Sequence, residues 1–135
     1  MGSLQPRGLR NCNPGNIRKS KDRWQGLREV QSDEYFFQFK HMKWGYRALL
    51  RILQNYQRKR GCKTIADMIR RWAPHTENDT SNYITIVCRE MQVPACYEPD
   101  VSDKATMVAL AAAITLVENG RPAVISDIEE GWELL

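Results

Sequence analysis

The sequence predicts a mainly α fold with one small β element near its start. Three observations carry this. Helical periodicity repeats through most of residues 43–118. The Thr64 and Ser126 regions carry helix-start chemistry, and Gly61 and Asn119-Gly120 carry helix-stop chemistry. The only aromatic, strand-like run is 33–39.

In chain order, residues 7–30 read as loops and short extended pieces, punctuated by Pro14-Gly15 and Gln25-Gly26. In residues 33–39, alternation would set Tyr35, Phe37 and Phe39 on one face and Phe36 with Gln38 on the other, with 24–30 as a hairpin partner. From Lys43 to about Arg60, Tyr46, Leu49, Leu50, Leu53 and Tyr56 share a helical stripe, and Gly61 is a natural stop. Thr64 caps a short helix with Ile65, Met68, Ile69 and Trp72 inward, ending before Pro74. Residues 75–79 form a polar connector, and Thr80 to Met91 a further helix with Tyr83, Ile84, Val87 and Met91 inward. After a loop over 92–100, Ser102 or Asp103 starts an alanine-rich helix that ends at Asn119-Gly120. Ser126-Asp127-Ile128-Glu129 reads as a capping box for a last helix bearing Trp132.

At 135 residues one domain, 1–135, is the simplest organisation, most simply a monomer. No apolar run approaches the length of a membrane helix, so no membrane partner is expected. The basic, polar stretch from Met1 to Arg10 lacks the apolar segment of a secretory signal, which implies synthesis in the cytoplasm. Cys12, Cys62, Cys88 and Cys96 are irregularly spaced beside only His41 and His75, poor metal spacing, so free thiols and no metal or cofactor are expected. A nucleophile pair of Cys12 with either histidine has no support in the local sequence. Residues 1–75 hold 17 Lys/Arg against 5 Asp/Glu, a charge of +12, and residues 76–135 hold 3 against 11, or −8. The basic half suits an anionic polymer such as a cell wall or nucleic acid, unless folding interleaves the two signs.

The densest polar chemistry is Asn11-Cys12-Asn13-Pro14-Gly15-Asn16-Ile17-Arg18. Pro14 can set a turn and Gly15 can take a left-handed position after it. The asparagines either serve that turn or point at a ligand. Glu118 is the leading catalytic candidate. It occupies the position after Met107, Leu110, Ala111 and Ile114 on the inward stripe, at a helix C-terminus where the macrodipole disfavours negative charge. That placement suits a general acid, unless a frayed last turn swings the side chain into water. Glu77 and Asp33 are weaker carboxylate candidates, since an acid ahead of a helix or at a turn has structural reasons of its own. The tryptophans and Tyr83 offer faces for sugars or bases, or simply core.

The chain resembles a group of short phage and prophage proteins described as virion structural or lysis-associated. They open with Arg-Gly-Leu/Ile-Arg-Asn-Asn-Asn-Pro-Gly-Asn-Ile-Arg. The match is Arg7 to Arg18, with Cys12 replacing the middle asparagine. It continues through Trp24-Gln25-Gly26, Asp33, Phe36, Phe39, 44–48, Thr64-Ile65, 71–74, Glu77-Asn78, Thr80, Tyr83 and 118–120. A more distant likeness is to lysozyme-like glucosaminidases and lytic transglycosylases, whose helix ending in a catalytic Glu precedes an Asn-rich segment and an aromatic strand. Here the same parts occur in the opposite order, which implies a lysozyme-like fold with circularly permuted elements and Glu118 facing Asn13, Asn16 and residues 33–39. The resemblance further implies a peptidoglycan-degrading glycosidase of muramidase, glucosaminidase or transglycosylase type, with Glu118 as acid and Asp33 or Glu77 as a second carboxylate if the enzyme hydrolyses. Asn13, Asn16, Arg18, Gln38, Trp72, Asn78 and Tyr83 would bind the glycan strand. The alternatives are a non-catalytic virion or wall-binding protein, with other virion proteins as partners, and a nucleic-acid-binding module using Arg18, Lys19, Lys21, Arg23 and 58–60.

Overall fold

The computed structural model of the chain describes residues 5–135, so the first four residues of the basic N-terminal stretch lie outside it. Six helices follow one another: α1 (Arg7–Arg10), α2 (Met42–Arg60), α3 (Ile65–Trp72), α4 (Thr80–Met91), α5 (Lys104–Asn119) and α6 (Ile125–Glu133). None is long and apolar enough to cross a membrane. The mainly helical expectation therefore holds.

The termini of these helices follow local chemistry. Gly61 and Gly120 end α2 and α5 in left-handed conformations. Thr64 caps α3 in a reciprocal box with Asp67, and Asp103 caps α5 through the Thr106 amide. The expected box at Ser126 is not used. The α6 hydrogen bonds begin one residue earlier, with the Asp127 amide donating to the Val124 carbonyl, so Ser126 lies inside the first turn. The short α1 was read as loop, because four residues carry no periodicity.

The larger core joins α2 to α6. Leu49, Leu50 and Leu53 of α2, Ile65, Met68 and Ile69 of α3, Val87 of α4, Met107, Leu110 and Ile114 of α5, and Ile128 of α6 are all fully buried. Each such side chain stabilises the fold by about 1.5–3 kcal/mol relative to exposure. One polar contact crosses this core: the Tyr46 hydroxyl pairs with Thr115 Oγ1 at 2.9 Å, fixing α2 against α5. Burial, partly offset by that hydrogen bond, pushes the Tyr46 hydroxyl up to about 12. Cys12, Cys62, Cys88 and Cys96 are free thiols.

A second, smaller core of Ile17, Phe37, Phe39 and Ala48 sits under the N-terminal loops. The expected 33–39 strand is present only as two antiparallel bridges, Arg18 with Phe36 and Leu27 with Phe39. Its alternation also differs: Phe37, Gln38 and Phe39 are all buried while Tyr35 is half exposed. The physical reason lies in side-chain amides that take the places of ladder partners. Asn13 Nδ2 donates to the Phe37 carbonyl at 2.9 Å and to the Ile17 carbonyl at 3.0 Å. Gln31 exchanges both of its amide bonds with the Gln38 backbone. Backbone groups satisfied in this way have no need of a continuous strand.

The Asn-rich loop crosses α2 at Gly45, where any Cβ would collide with the Cys12 carbonyl. It then reaches the end of α5, where Asn119 Nδ2 donates to the Pro14 carbonyl at 2.9 Å. The two ends of the chain thus meet beneath one surface cleft.

Candidate active site

Glu118 closes the inward stripe of α5 and emerges, half-buried, on the floor of a cleft of about 310 Å³. Its two oxygens have separate donors. Asn16 Nδ2 donates to Oε1 at 2.9 Å, and the Tyr83 hydroxyl donates to Oε2 at 2.7 Å. Tyr83 in turn accepts from the Trp72 indole N–H at 3.1 Å. Burial, then the neighbouring Glu118 charge and hydrogen bond, hold the Tyr83 hydroxyl far above its ordinary range, so it stays a donor. One carboxylate therefore gathers an asparagine from the N-terminal loop, a tyrosine from α4 and a tryptophan from α3.

Asn16 reaches Glu118 because its backbone is left-handed, with φ 51°. Asparagine tolerates that region better than most residues. The left-handed positions of this loop belong to Cys12 and Asn16, not to Gly15 as the Pro-Gly reading expected. Gly15 serves a different need: it lies against the Trp72 ring, where a Cβ would come within 2.8 Å of Cζ2.

The cleft walls are aromatic and its rim is charged. Trp72, Tyr56 and Phe36 line it. Phe36 is flanked by two guanidinium groups, Arg7 at 4.8 Å and Arg18 at 5.6 Å from the ring centre. At the rim, Arg18 pairs with Glu77 at 3.4 Å, with both side chains more than half exposed. A pair so open to water contributes little stability and exchanges readily. Asn78 also lines the cleft and donates to the Pro74 carbonyl at 3.3 Å.

Six of the residues singled out from sequence thus converge here: Glu118, Asn16, Arg18, Trp72, Asn78 and Glu77, with Tyr83 directly behind Glu118. Three do not. The Asp33 carboxylate is taken by Arg7 Nε and Nη2 at 2.7 and 2.8 Å and by Asn11 Nδ2 at 3.0 Å. The Arg7 hydrogen bond above all holds it well below the usual carboxylate range. Asn13 is fully buried in the loop framework. Gln38, also buried, accepts from the Ser32 and Asp33 amides and donates to Asn11. All three maintain the loops that present Asn16 and Phe36.

Sequence reasoning overlooked Tyr56 and Ile52 as cleft residues. Both lie on α2 beside its inward stripe, and that flank was the available signal. Of the tryptophans, only Trp72 lines the cleft; Trp24 and Trp44 pack on the smaller core, and Trp132 on the larger. Cys12 and His41 line a separate shallow depression, where the polar neighbour of the Cys12 sulfur is Arg28 at 3.8 Å. No group of metal-ligating side chains is assembled among the described residues.

No protein-family model matches the chain. It is 37% identical over 130 residues to "Protein P5" of Pseudoalteromonas phage PM2, an alignment that spans 94% of this chain and 80% of the phage protein. At that identity and coverage, the chain belongs to the family of phage PM2 protein P5.

Proposed function

We propose that this phage-type protein is a single-domain glycosidase that cleaves the glycan strand of peptidoglycan, with Glu118 as its general acid. The observation that carries this is the held carboxylate: Glu118 stands on the floor of an aromatic-walled cleft with Asn16 and Tyr83 donating to its two oxygens. Aromatic walls suit the faces of sugar rings, and side-chain amides suit N-acetyl and hydroxyl groups. The end of α5, the Asn-rich loop and Phe36 come together as a lysozyme-like fold with permuted element order requires.

Glu118 passes its proton to the glycosidic oxygen, and the two donors then stabilise the carboxylate left behind. The same group is placed to act next as a base. That route yields an anhydro-sugar and needs no second carboxylate. Hydrolysis instead needs one, and Glu77 at the rim is the available group, since Asp33 is committed to Arg7. Arg18, Trp72 and Asn78 contact the glycan. No metal or cofactor takes part. The protein acts as a monomer, made in the host cytoplasm and delivered to the wall at lysis or within the virion.

A non-catalytic wall-binding or virion protein is the second reading. One observation favours it: both Glu118 oxygens already accept hydrogen bonds, which satisfies the carboxylate without any reaction. Incubating the protein and Glu118→Gln with purified peptidoglycan, followed by mass spectrometry of the fragments, decides between the two. Anhydro-muropeptides or new reducing ends made by the wild type and lost in the variant support the enzyme. Wall binding without fragments, from walls of several chemotypes, supports the binding protein. Tight nucleic-acid binding without wall binding would sink both.

A further inference from the structure

A second depression, of about 220 Å³, opens on the far side of Glu118. It shares Glu118 and Asn78 with the aromatic cleft and adds Asp79, Asn82 and Val117. Glu118 is thus reached from two sides, with Tyr83 and its hydrogen bond to Oε2 facing the second. An acid that cleaves a linear polymer has to stand between two sugar-binding halves, since the bond it protonates joins two rings.

The two halves differ in chemistry. The aromatic half carries one cation, Arg18, whose exposed pair with Glu77 exchanges readily for another carboxylate. The second half carries no cation; its fixed charge is Asp79, whose Oδ1 accepts from the Asn82 backbone amide at 3.1 Å. The Asn82 side-chain amide is exposed and has no hydrogen-bond partner among the described residues. Together with Asn78 it offers carboxamide groups that match an acetamido substituent, which both donates and accepts. An acidic substituent is repelled there by Asp79 and attracted at Arg18.

We propose that the two depressions form one groove across Glu118, in which the sugar bearing a carboxylate occupies the Arg18 half and a neutral N-acetylated sugar occupies the Asn78–Asn82 half. This rests on the glycosidase reading and adds to it the orientation of the substrate. Asn82 and Asp79 become specificity residues, a role the aromatic cleft alone does not give them.

The test uses the full chain carrying Glu118→Gln, isotope-labelled, and two probes: chitotetraose, which is neutral, and a tetrasaccharide alternating N-acetylglucosamine with lactyl-bearing N-acetylmuramic acid. The Trp72 indole and Asn82 side-chain amide signals report the two halves. Both signals are expected to move together with either probe. Adding Arg18→Gln is expected to weaken the lactyl-bearing probe about tenfold and to leave chitotetraose unchanged. Adding Asn82→Trp, at an exposed position that tolerates a larger side chain, is expected to weaken both probes about tenfold. Movement of Trp72 without Asn82 overturns the continuous groove while leaving the glycosidase reading intact. Equal weakening of both probes by Arg18→Gln overturns the orientation in the same way. If neither probe moves either signal, the glycosidase reading fails and this proposal fails with it.

Discussion

Asn16 and Glu118 are 102 residues apart in sequence, and the side-chain amide of one donates to the carboxylate of the other at 2.9 Å. Replacing Asn16 by Ala removes one of the two donors that stabilise the ionised acid. Peptidoglycan cleavage is expected to fall about tenfold or more, with little change in melting temperature. Asn16→Asp is expected to be worse at neutral pH, because it sets two carboxylates against each other, and to recover partly toward acid pH as they share a proton. Turbidity clearing of cell walls across pH 4–8, with about that range chosen to span the carboxylate coupling, checks both.

Tyr83→Phe removes one hydroxyl and strands two partners, Glu118 Oε2 and the Trp72 indole N–H. The indole is half-buried and the carboxylate opens on the cleft, so water replaces part of the loss. A destabilisation of about 1–2 kcal/mol is expected in denaturant unfolding. Activity should fall by more than stability explains, measured below the unfolding transition. Equal losses would return Tyr83 to a purely structural part.

Alkaline pH should unfold the protein in a defined window. The Tyr46 hydroxyl is pushed up to about 12, and that of Tyr83 higher still, both mainly by burial. A group whose proton is held more tightly when folded stabilises the fold fully below its unfolded pKa, which for tyrosine is about 10. That stability is lost as pH rises from there through the folded value. The denaturant midpoint is expected to hold steady to about pH 10 and then decline. Tyr46→Phe should start less stable and show a shallower decline.

Acid should loosen the N-terminal loops first. Asp33 is held well below the usual carboxylate range, chiefly by its hydrogen bond to Arg7. A carboxylate of this kind stabilises the fold above its unfolded pKa, near about 4, and loses that contribution as pH falls toward the folded value. Hydrogen exchange at the Tyr35 and Phe36 amides, both bonded to Asp33 Oδ1, is expected to quicken below pH of about 4 before the helices respond. In Asp33→Ala those amides should exchange fast at every pH.

Cys12 is left-handed, with φ 51°, a conformation costly for a residue with a Cβ and less so for asparagine. Cys12→Asn is expected to raise stability by about 0.5–1 kcal/mol. A thermal melt decides it, and an unchanged or lower midpoint would mean that the contact of Cys12 Sγ with Arg28 at 3.8 Å outweighs the backbone relief.

Much of this architecture is legible in the sequence because it follows from local rules. The stripe of Met107, Leu110, Ala111 and Ile114 runs straight to Glu118, and Thr64, Gly61 and Gly120 mark helix ends by chemistry within one turn. The legibility stops where a side chain reaches across the fold. Asn13 and Gln38 looked like ligands for sugar because their backbone targets, at Phe37 and near Ser32, are supplied by loops whose paths no periodicity reveals. Tyr83 was read first as core, and it is buried; that its hydroxyl bridges Trp72 and Glu118 depends on how α3, α4 and α5 meet.

The same meeting of chain ends sets a schedule for synthesis. Asn16 is made early, and its partner Glu118 emerges from the ribosome only after four of the six helices have been translated. Until then the Asn-rich loop has no α5 to close against, since its Pro14 carbonyl is held by Asn119. A growing chain therefore holds no assembled groove at any intermediate length. Contacts this distant in sequence also form late in folding, because the long loop between them has to be closed first. A protein whose acid and its donor lie at opposite ends stays inert throughout its own manufacture, a safeguard for any cell that must survive until the last copy is finished.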